Sequence, residues 1–253
     1  MSLLLYKTLA GLLILLTSLV AVIYPVKILA KPGHNRFLEL GDAFASGVFL
    51  GAALFHMLPD AIQEFQKSLK NIDYPLAELL CAAGFLILLF FEYLGEHKSQ
   101  KSHKTTIPLI LTIILIIHSL IEGAVLGINT TFATTSLIFL AIIAHKSSES
   151  FALAVTLNRG SFKLTTLAII IGLFSLMTPL GIALGASVTH LLSGRTGSLY
   201  SAGFSAFAAG TFLYMSTLHH INHHHRATDS ESLLEYLFLI IGLGLMAVLV
   251  LWS

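Results

Sequence analysis

Apolar residues run along this chain in blocks of about twenty, the length an α-helix needs to cross the hydrocarbon core of a bilayer. Eight such blocks stand near residues 2–26, 42–66, 74–95, 105–129, 133–158, 164–190, 198–218 and 232–252, joined by short polar connections. They predict eight transmembrane helices. The first block is too long for the core of a secretory signal, and no small-residue cleavage pattern closes it, so it is expected to stay as a helix. The connections leave no room for a soluble domain. A single transmembrane domain over residues 1–253 is expected, with any chemistry inside the helix bundle.

Lysine and arginine divide the connections into two sets. Those after the first, third, fifth and seventh blocks carry Lys27, Lys31, Arg36, Lys98, Lys101, Lys104, Arg159, Lys163 and Arg226, whereas the opposite ones carry Lys67, Lys70 and Arg195. Positive loops are retained in the cytoplasm, so the first set is expected inside and both termini extracytoplasmic. Composition agrees with the hydropathy pattern: 56% hydrophobic residues, 11% charged and a mean hydropathy of +0.87 mark a multi-pass integral membrane protein. A plasma membrane or a bacterial inner membrane is the expected location. The formal net charge of +1 offers no basic surface for nucleic acid. The lone cysteine, Cys81, rules out an internal disulfide and a thiolate zinc site. Composition leaves one anomaly, the twelve histidines.

Two of those histidines lie deep inside apolar blocks. His118-Ser119-Leu120-Ile121-Glu122-Gly123 sits in the fourth block and His145-Lys146-Ser147-Ser148-Glu149 in the fifth. In each, a His and a Glu four residues apart project from one helix face, one turn above the other. Each ionisable residue at membrane depth costs roughly 2.5 kcal/mol or more, so five in two adjacent segments need a purpose. Side by side, the two helices would offer two imidazoles and two carboxylates to one ion. Such a set without thiolate suits a borderline divalent cation, zinc first, with iron, manganese, cobalt, nickel and cadmium as further candidates.

An internal repeat frames this pair. Ala45-Ser46-Gly47-Val48-Phe49-Leu50 in the second block matches Ala208-Ala209-Gly210-Thr211-Phe212-Leu213 in the seventh, and the register holds to His56 and His219. The two blocks must cross the membrane in opposite directions, the pattern of an inverted-topology repeat. An all-α integral membrane protein with eight transmembrane helices in a 3+2+3 arrangement follows, the ligand-bearing pair in the centre. Gly47 and Gly51, Gly123 and Gly127, and Gly181 and Gly185 have the Gly-x-x-x-Gly spacing that lets backbones approach closely. Pro59 and Pro179 interrupt their helices' hydrogen-bond ladders.

These residues resemble the ZIP (Zrt/Irt-like) divalent metal transporters. The resemblance is carried by the two His/Glu blocks, by Ala45 to Gly51 leading to His56-Met57-Leu58-Pro59-Asp60, by Thr178-Pro179-Leu180-Gly181 and by Ala209-Gly210-Thr211-Phe212-Leu213-Tyr214. It implies eight helices with both termini outside and zinc moved, as transported substrate, into the cytosol from outside or from a compartment lumen; by the donor chemistry Fe2+, Mn2+ and Cd2+ are further candidate cargo. It implies His118, Glu122, His145 and Glu149 as central ligands. Ser119 and Lys146 match positions that bind a second metal in some members, and Thr178 stands where those members carry a further carboxylate. Lys146 is therefore expected to supply the second positive charge beside Glu122 or Glu149, the alternative being a lysine that snorkels to the interface.

Other histidines read as way stations. His56 and Asp60 lie one turn apart in the outer half of the second block, and His219 and His223 repeat that spacing at the inner end of the seventh, extended by His220, His224 and His225. His97 and His103, between the third and fourth blocks, fit loose capture of released metal. The partners expected are divalent ions and the lipid bilayer, with a homodimer open as the assembly. An intramembrane zinc hydrolase is the rival reading, but no His-Glu-x-x-His or Ser-His-Asp set supports it. A sensor would need an output domain, and a cation diffusion exporter usually has fewer crossings followed by a cytoplasmic domain.

Overall fold

The computed structural model describes residues 2–29, 36–69, 74–97, 100–159, 162–187, 195–221 and 229–252. These residues are helical almost throughout: α1 (Leu3–Leu29), α2 (Arg36–Ser68), α3 (Leu76–His97), α4 (Gln100–Ile128), α5 (Phe132–Arg159), α6 (Leu164–Ser187), α7 (Arg195–Ile221) and α8 (Asp229–Leu249), the last closed by a 3-10 turn, Val250–Trp252. Each apolar block is thus a helix, with ends displaced by a few residues. Leu3–Lys27, Arg36–Ser68, Leu76–Leu94, Phe132–Leu157 and Leu164–Ser187 are each long and apolar enough to cross a membrane. In α4 and α8 the apolar part is shorter, Thr112–Ile128 and Leu233–Leu249. The first turns of α4 carry Gln100, Lys101, His103 and Lys104, and α8 opens on Asp229, Ser230 and Glu231.

The helices pack as two groups of four. One joins α4 to α6 and α1 to both α5 and α6; the other joins α2 to α8, α3 to α7 and α2 to α7. Contacts of α2 with α5 and of α3 with α4 connect the groups. Between membrane helices, lipid supplies no hydrophobic drive, so association depends on close packing, and glycine sets it here. A methyl on Gly47 would strike the Leu239 carbonyl oxygen of α8, and one on Gly242 that of Phe44 in α2. In the same way Gly210 of α7 abuts the Cys81 carbonyl of α3, and Gly84 abuts that of Phe207. In the first group Gly123 and Gly127 of α4 meet the Thr178 and Ile182 carbonyls of α6, while Gly181 and Gly185 meet those of Leu120 and Ala124.

Helix α2 changes pitch midway. Ala52–Met57 forms a π-helical turn, with the Leu58 N–H donating to the Ala53 carbonyl. Pro59 follows it and has no N–H with which to continue the ladder, and its ring crowds the carbonyl four residues back. A wider turn immediately upstream is one way a helix absorbs such a break. The turn carries His56.

Lys7 of α1 is buried, and its Nζ donates to the Gly127 carbonyl at 2.5 Å. Gly127 is in the last turn of α4, whose final carbonyls have no partner within the helix. The ammonium satisfies one of them and opposes the negative end of the helix dipole. Tyr6, beside it, packs tilted against Phe132 and edge-on to Phe139 of α5, so the first turns of α1 hold both central helices.

Candidate metal site

The glycine contacts between α4 and α6 leave the opposite face of α4 to α5, and on that face lie His118 and Glu122. The i, i+4 spacing stacks them one turn apart, and His145 and Glu149 do the same on α5. His118 Nε2 is 2.9 Å from Glu122 Oε1 and 3.5 Å from Glu149 Oε1. His145 Nε2 is 2.8 Å from Glu122 Oε1 and 3.7 Å from Glu149 Oε1. One ligand-type atom from each of the four residues lies within 4.8 Å of the other three. Zinc bonds of about 2.0–2.1 Å in a tetrahedron imply edges of about 3.3 Å, so these separations straddle the expected value.

Burial sharpens the point. His118, His145 and Glu149 are buried, and Glu122 is nearly so. Among the described residues, His118 Nε2, Glu122 Oε2, His145 Nδ1 and Glu149 Oε1 make no hydrogen bond. Buried polar atoms are almost always paired, and leaving one unpaired costs about 1–3 kcal/mol. Two of the four, His118 Nε2 and Glu149 Oε1, are among the converging atoms, and together with the nearby imidazole and carboxylate atoms of His145 and Glu122 they form a donor set that suits a divalent cation.

Lys146 lies beside this cluster and is fully buried. Its ammonium donates to Ser119 Oγ at 2.5 Å and to Glu149 Oε2 at 3.0 Å, and stands 4.2 Å from the centroid of the Phe174 ring. Of the two carboxylates anticipated for it, Glu149 is the one it meets, and it does not snorkel. Glu149 therefore faces the ligand cluster with one oxygen and the ammonium with the other. Thr178 of α6 is fully buried, and its hydroxyl has no hydrogen-bond partner among the described residues. Phe174 belongs to this site too; its one clue in the sequence is its place one turn before Thr178 on a helix packed against α4.

The π turn brings His56 toward the cluster. Its ring centroid is 6.4 Å from that of His145, and its Nδ1 is 2.9 Å from Asp60 Oδ2. Asp60 is 58% exposed, so this pair reaches from the surface toward the site. A small cavity of about 90 Å³ adjoins His56 between α2, α5 and α8. From the other side, Phe212 of α7 sets its ring edge-on to His118, with centroids 5.3 Å apart. The side chains of His97, His103, His219 and His220 lie outside the described residues, as do His223, His224 and His225 entirely.

Comparison with known proteins gives one consistent answer. The profile of the family described as ZIP Zinc transporter matches residues 4–106 and 94–250. Zinc transporter ZIP1 of Takifugu rubripes is 31% identical, covering 85% of each chain. Zinc transporter ZIP2 of Mus musculus is 28% identical over 87% of each, and Zinc transporter 11 of Arabidopsis thaliana is 26% identical over 86% of this chain and 77% of its own.

Proposed function

This chain belongs to the ZIP zinc transporter family, and we propose that it carries zinc into the cytoplasm through a single site formed by His118, Glu122, His145 and Glu149. It is a multi-pass membrane transporter and not an enzyme. The observation that carries the site assignment is the convergence of ligand-type atoms from four residues within 4.8 Å, two of them, His118 Nε2 and Glu149 Oε1, buried without a hydrogen-bond partner.

The topology proposed is one transmembrane domain of eight crossings in a 3+2+3 arrangement, with inverted repeats and both termini outside. The lysine and arginine distribution supports the orientation. The repeat is supported by the glycine contacts: exchanging α2 with α7 and α3 with α8 turns the Gly47–Leu239 contact into Gly210–Cys81, and Gly242–Phe44 into Gly84–Phe207. Under the same exchange, extended to α4 with α5 and α1 with α6, the α4–α6 pairing becomes α5–α1.

In this reading the ion arrives from outside at Asp60 and His56, passes to His145 and its three companions, and leaves toward His219 and His223. The histidines at 97, 103, 220, 224 and 225 capture it loosely on the inner side. Relative motion of the two helix groups opens the site to one side and then the other. Binding needs neutral imidazoles and ionised carboxylates. Lys146, held by Glu149 and Ser119, takes the place of a second metal ion. Fe2+, Mn2+ and Cd2+ fit the same donor chemistry, and a dimer is compatible with the lipid-facing surface.

Radiozinc uptake by proteoliposomes tests the proposal. The intact protein should accumulate zinc in competition with cadmium, iron and manganese, and His118→Ala should abolish uptake; a variant that transports normally would remove the site from the pathway. Lys146→Asp should raise bound zinc from one to two ions per chain, and unchanged stoichiometry would sink the charge-substitute reading.

A further inference from the structure

A cavity of about 500 Å³ opens between α1, α2, α5 and α8, at the seam between the two helix groups. Its volume falls in the range of small-molecule sites. Its wall is built from Tyr24 of α1, Phe37 and Phe44 of α2, Phe151 of α5 and Phe238 of α8, and the other polar side chains in its lining are Ser147 and Ser148. A divalent ion needs nitrogen or oxygen ligands to replace its water, and these walls offer almost none. An apolar occupant is what they suit.

The mouth indicates which one. Tyr24 and Phe37 are 41% and 56% exposed, and their rings meet edge-on with centroids 4.5 Å apart. Lys27 follows Tyr24 by one helical turn and Arg36 immediately precedes Phe37, both exposed to the surroundings. Two exposed cations thus lie within one helical turn, along the chain, of the aromatic pair at the opening of an apolar chamber, in a protein whose surroundings are lipid. Both belong to the connection that the charge distribution puts in the cytoplasm, the leaflet that carries anionic phospholipid.

We propose that this cavity seats one acyl chain of an anionic phospholipid, with the headgroup phosphate held by Lys27 and Arg36. The chain would lie with α1 and α5 on one side and α2 and α8 on the other. A ligand between two bodies that slide must be accommodated in every state, so lipid composition acts on the rate of their motion. The binding claim stands independently of the transport reading; its effect on rate rests on that reading.

Native mass spectrometry of the full chain, released from vesicles of phosphatidylcholine and phosphatidylglycerol, counts the lipids retained. The wild type should keep one phosphatidylglycerol. Ala21→Trp, which fills the chamber, and the pair Lys27→Glu with Arg36→Glu should each retain at least tenfold less, with zinc bound per chain unchanged. Leu40→Trp serves as the filling variant if Ala21→Trp does not fold. Equal retention by all variants, or equal retention of phosphatidylcholine, overturns the proposal. Loss in the charge-reversed pair with full retention in a filled chamber overturns the acyl-chain seat. Zinc uptake in the same vesicles should rise severalfold with phosphatidylglycerol in the wild type and stay flat in the filled variant. Absence of any uptake would count against the carrier reading and leave the lipid count standing.

Discussion

The group formed by α2, α3, α7 and α8 is held by glycine contacts that occur twice, whereas in the group of α1, α4, α5 and α6 the glycine contacts occur once. In the first, Gly47 against α8 has its counterpart in Gly210 against α3, and Gly242 against α2 in Gly84 against α7. In the second, the four glycines that join α4 to α6 find no such set between α1 and α5, where Tyr6 packs against Phe132 and Phe139 and an apolar cluster of Ile14, Leu126, Ile142 and Ile182 fills the space. The same group holds the buried lysines Lys7 and Lys146 and the four ligand-type residues, while the other group buries Asp42. Under the proposed repeat, symmetry is kept where the task is packing and is lost where residues must do different things on the two sides.

The largest effect should come from the unduplicated group. Glu149→Gln leaves the Lys146 ammonium without its carboxylate, and breaking a buried ion pair from one side costs about 3–5 kcal/mol. Thermal unfolding in detergent should show a large drop. Adding Lys146→Met should recover most of it, while zinc binding stays lost. If the double variant were no more stable than the single one, the pair would not be the source of the cost.

A smaller effect should come from the duplicated contacts. Gly47→Leu and Gly210→Leu each drive a side chain into a neighbouring backbone, an overpacking cost of about 1–3 kcal/mol or more. The two variants should unfold at similar temperatures, each below the wild type. Destabilisation confined to one of them would break the equivalence of the two frames.

The smallest belongs to Lys7. Lys7→Met removes the charge that caps α4, a contribution of up to about 2 kcal/mol for a cation at a partly buried helix C-terminus. A lowering of the melting temperature by a few degrees is expected, restored by Lys7→Arg, with zinc affinity unaltered by calorimetry. A loss of affinity would mean that the cap positions the ligands as well as the helix.

The eight helices were legible because crossing a membrane demands long apolar runs, and only their ends moved. The His118–Glu122 and His145–Glu149 pairs were legible because an i, i+4 spacing inside such a run has few explanations. Gly84 and Gly242 escaped attention because each does its work singly, without the Gly-x-x-x-Gly spacing that reveals the others, and Gly210 stands out in the repeat and the family resemblance but not as a packing contact. The grouping of helices into two fours is not written in any one segment; it depends on which small faces meet, as when Gly123 meets Thr178. The π turn could be traced to Pro59 only in part, since the proline requires a break but does not choose where the wider turn forms. Phe174 looked like any core aromatic until the ammonium of Lys146 stood over it.

The carboxylate of Glu149, one oxygen toward the ligand cluster and one toward Lys146, sets an electrical sign. With neutral imidazoles, two carboxylates and one ammonium leave the cluster one negative charge, and a divalent cation turns this into one positive charge. A transmembrane voltage acts on each elementary charge with about 2.3 kcal/mol per 100 mV for a full crossing. An interior-negative membrane would then draw the loaded site inward and push the emptied site back outward. In the proposed carrier cycle the lysine would make both strokes downhill in the same field.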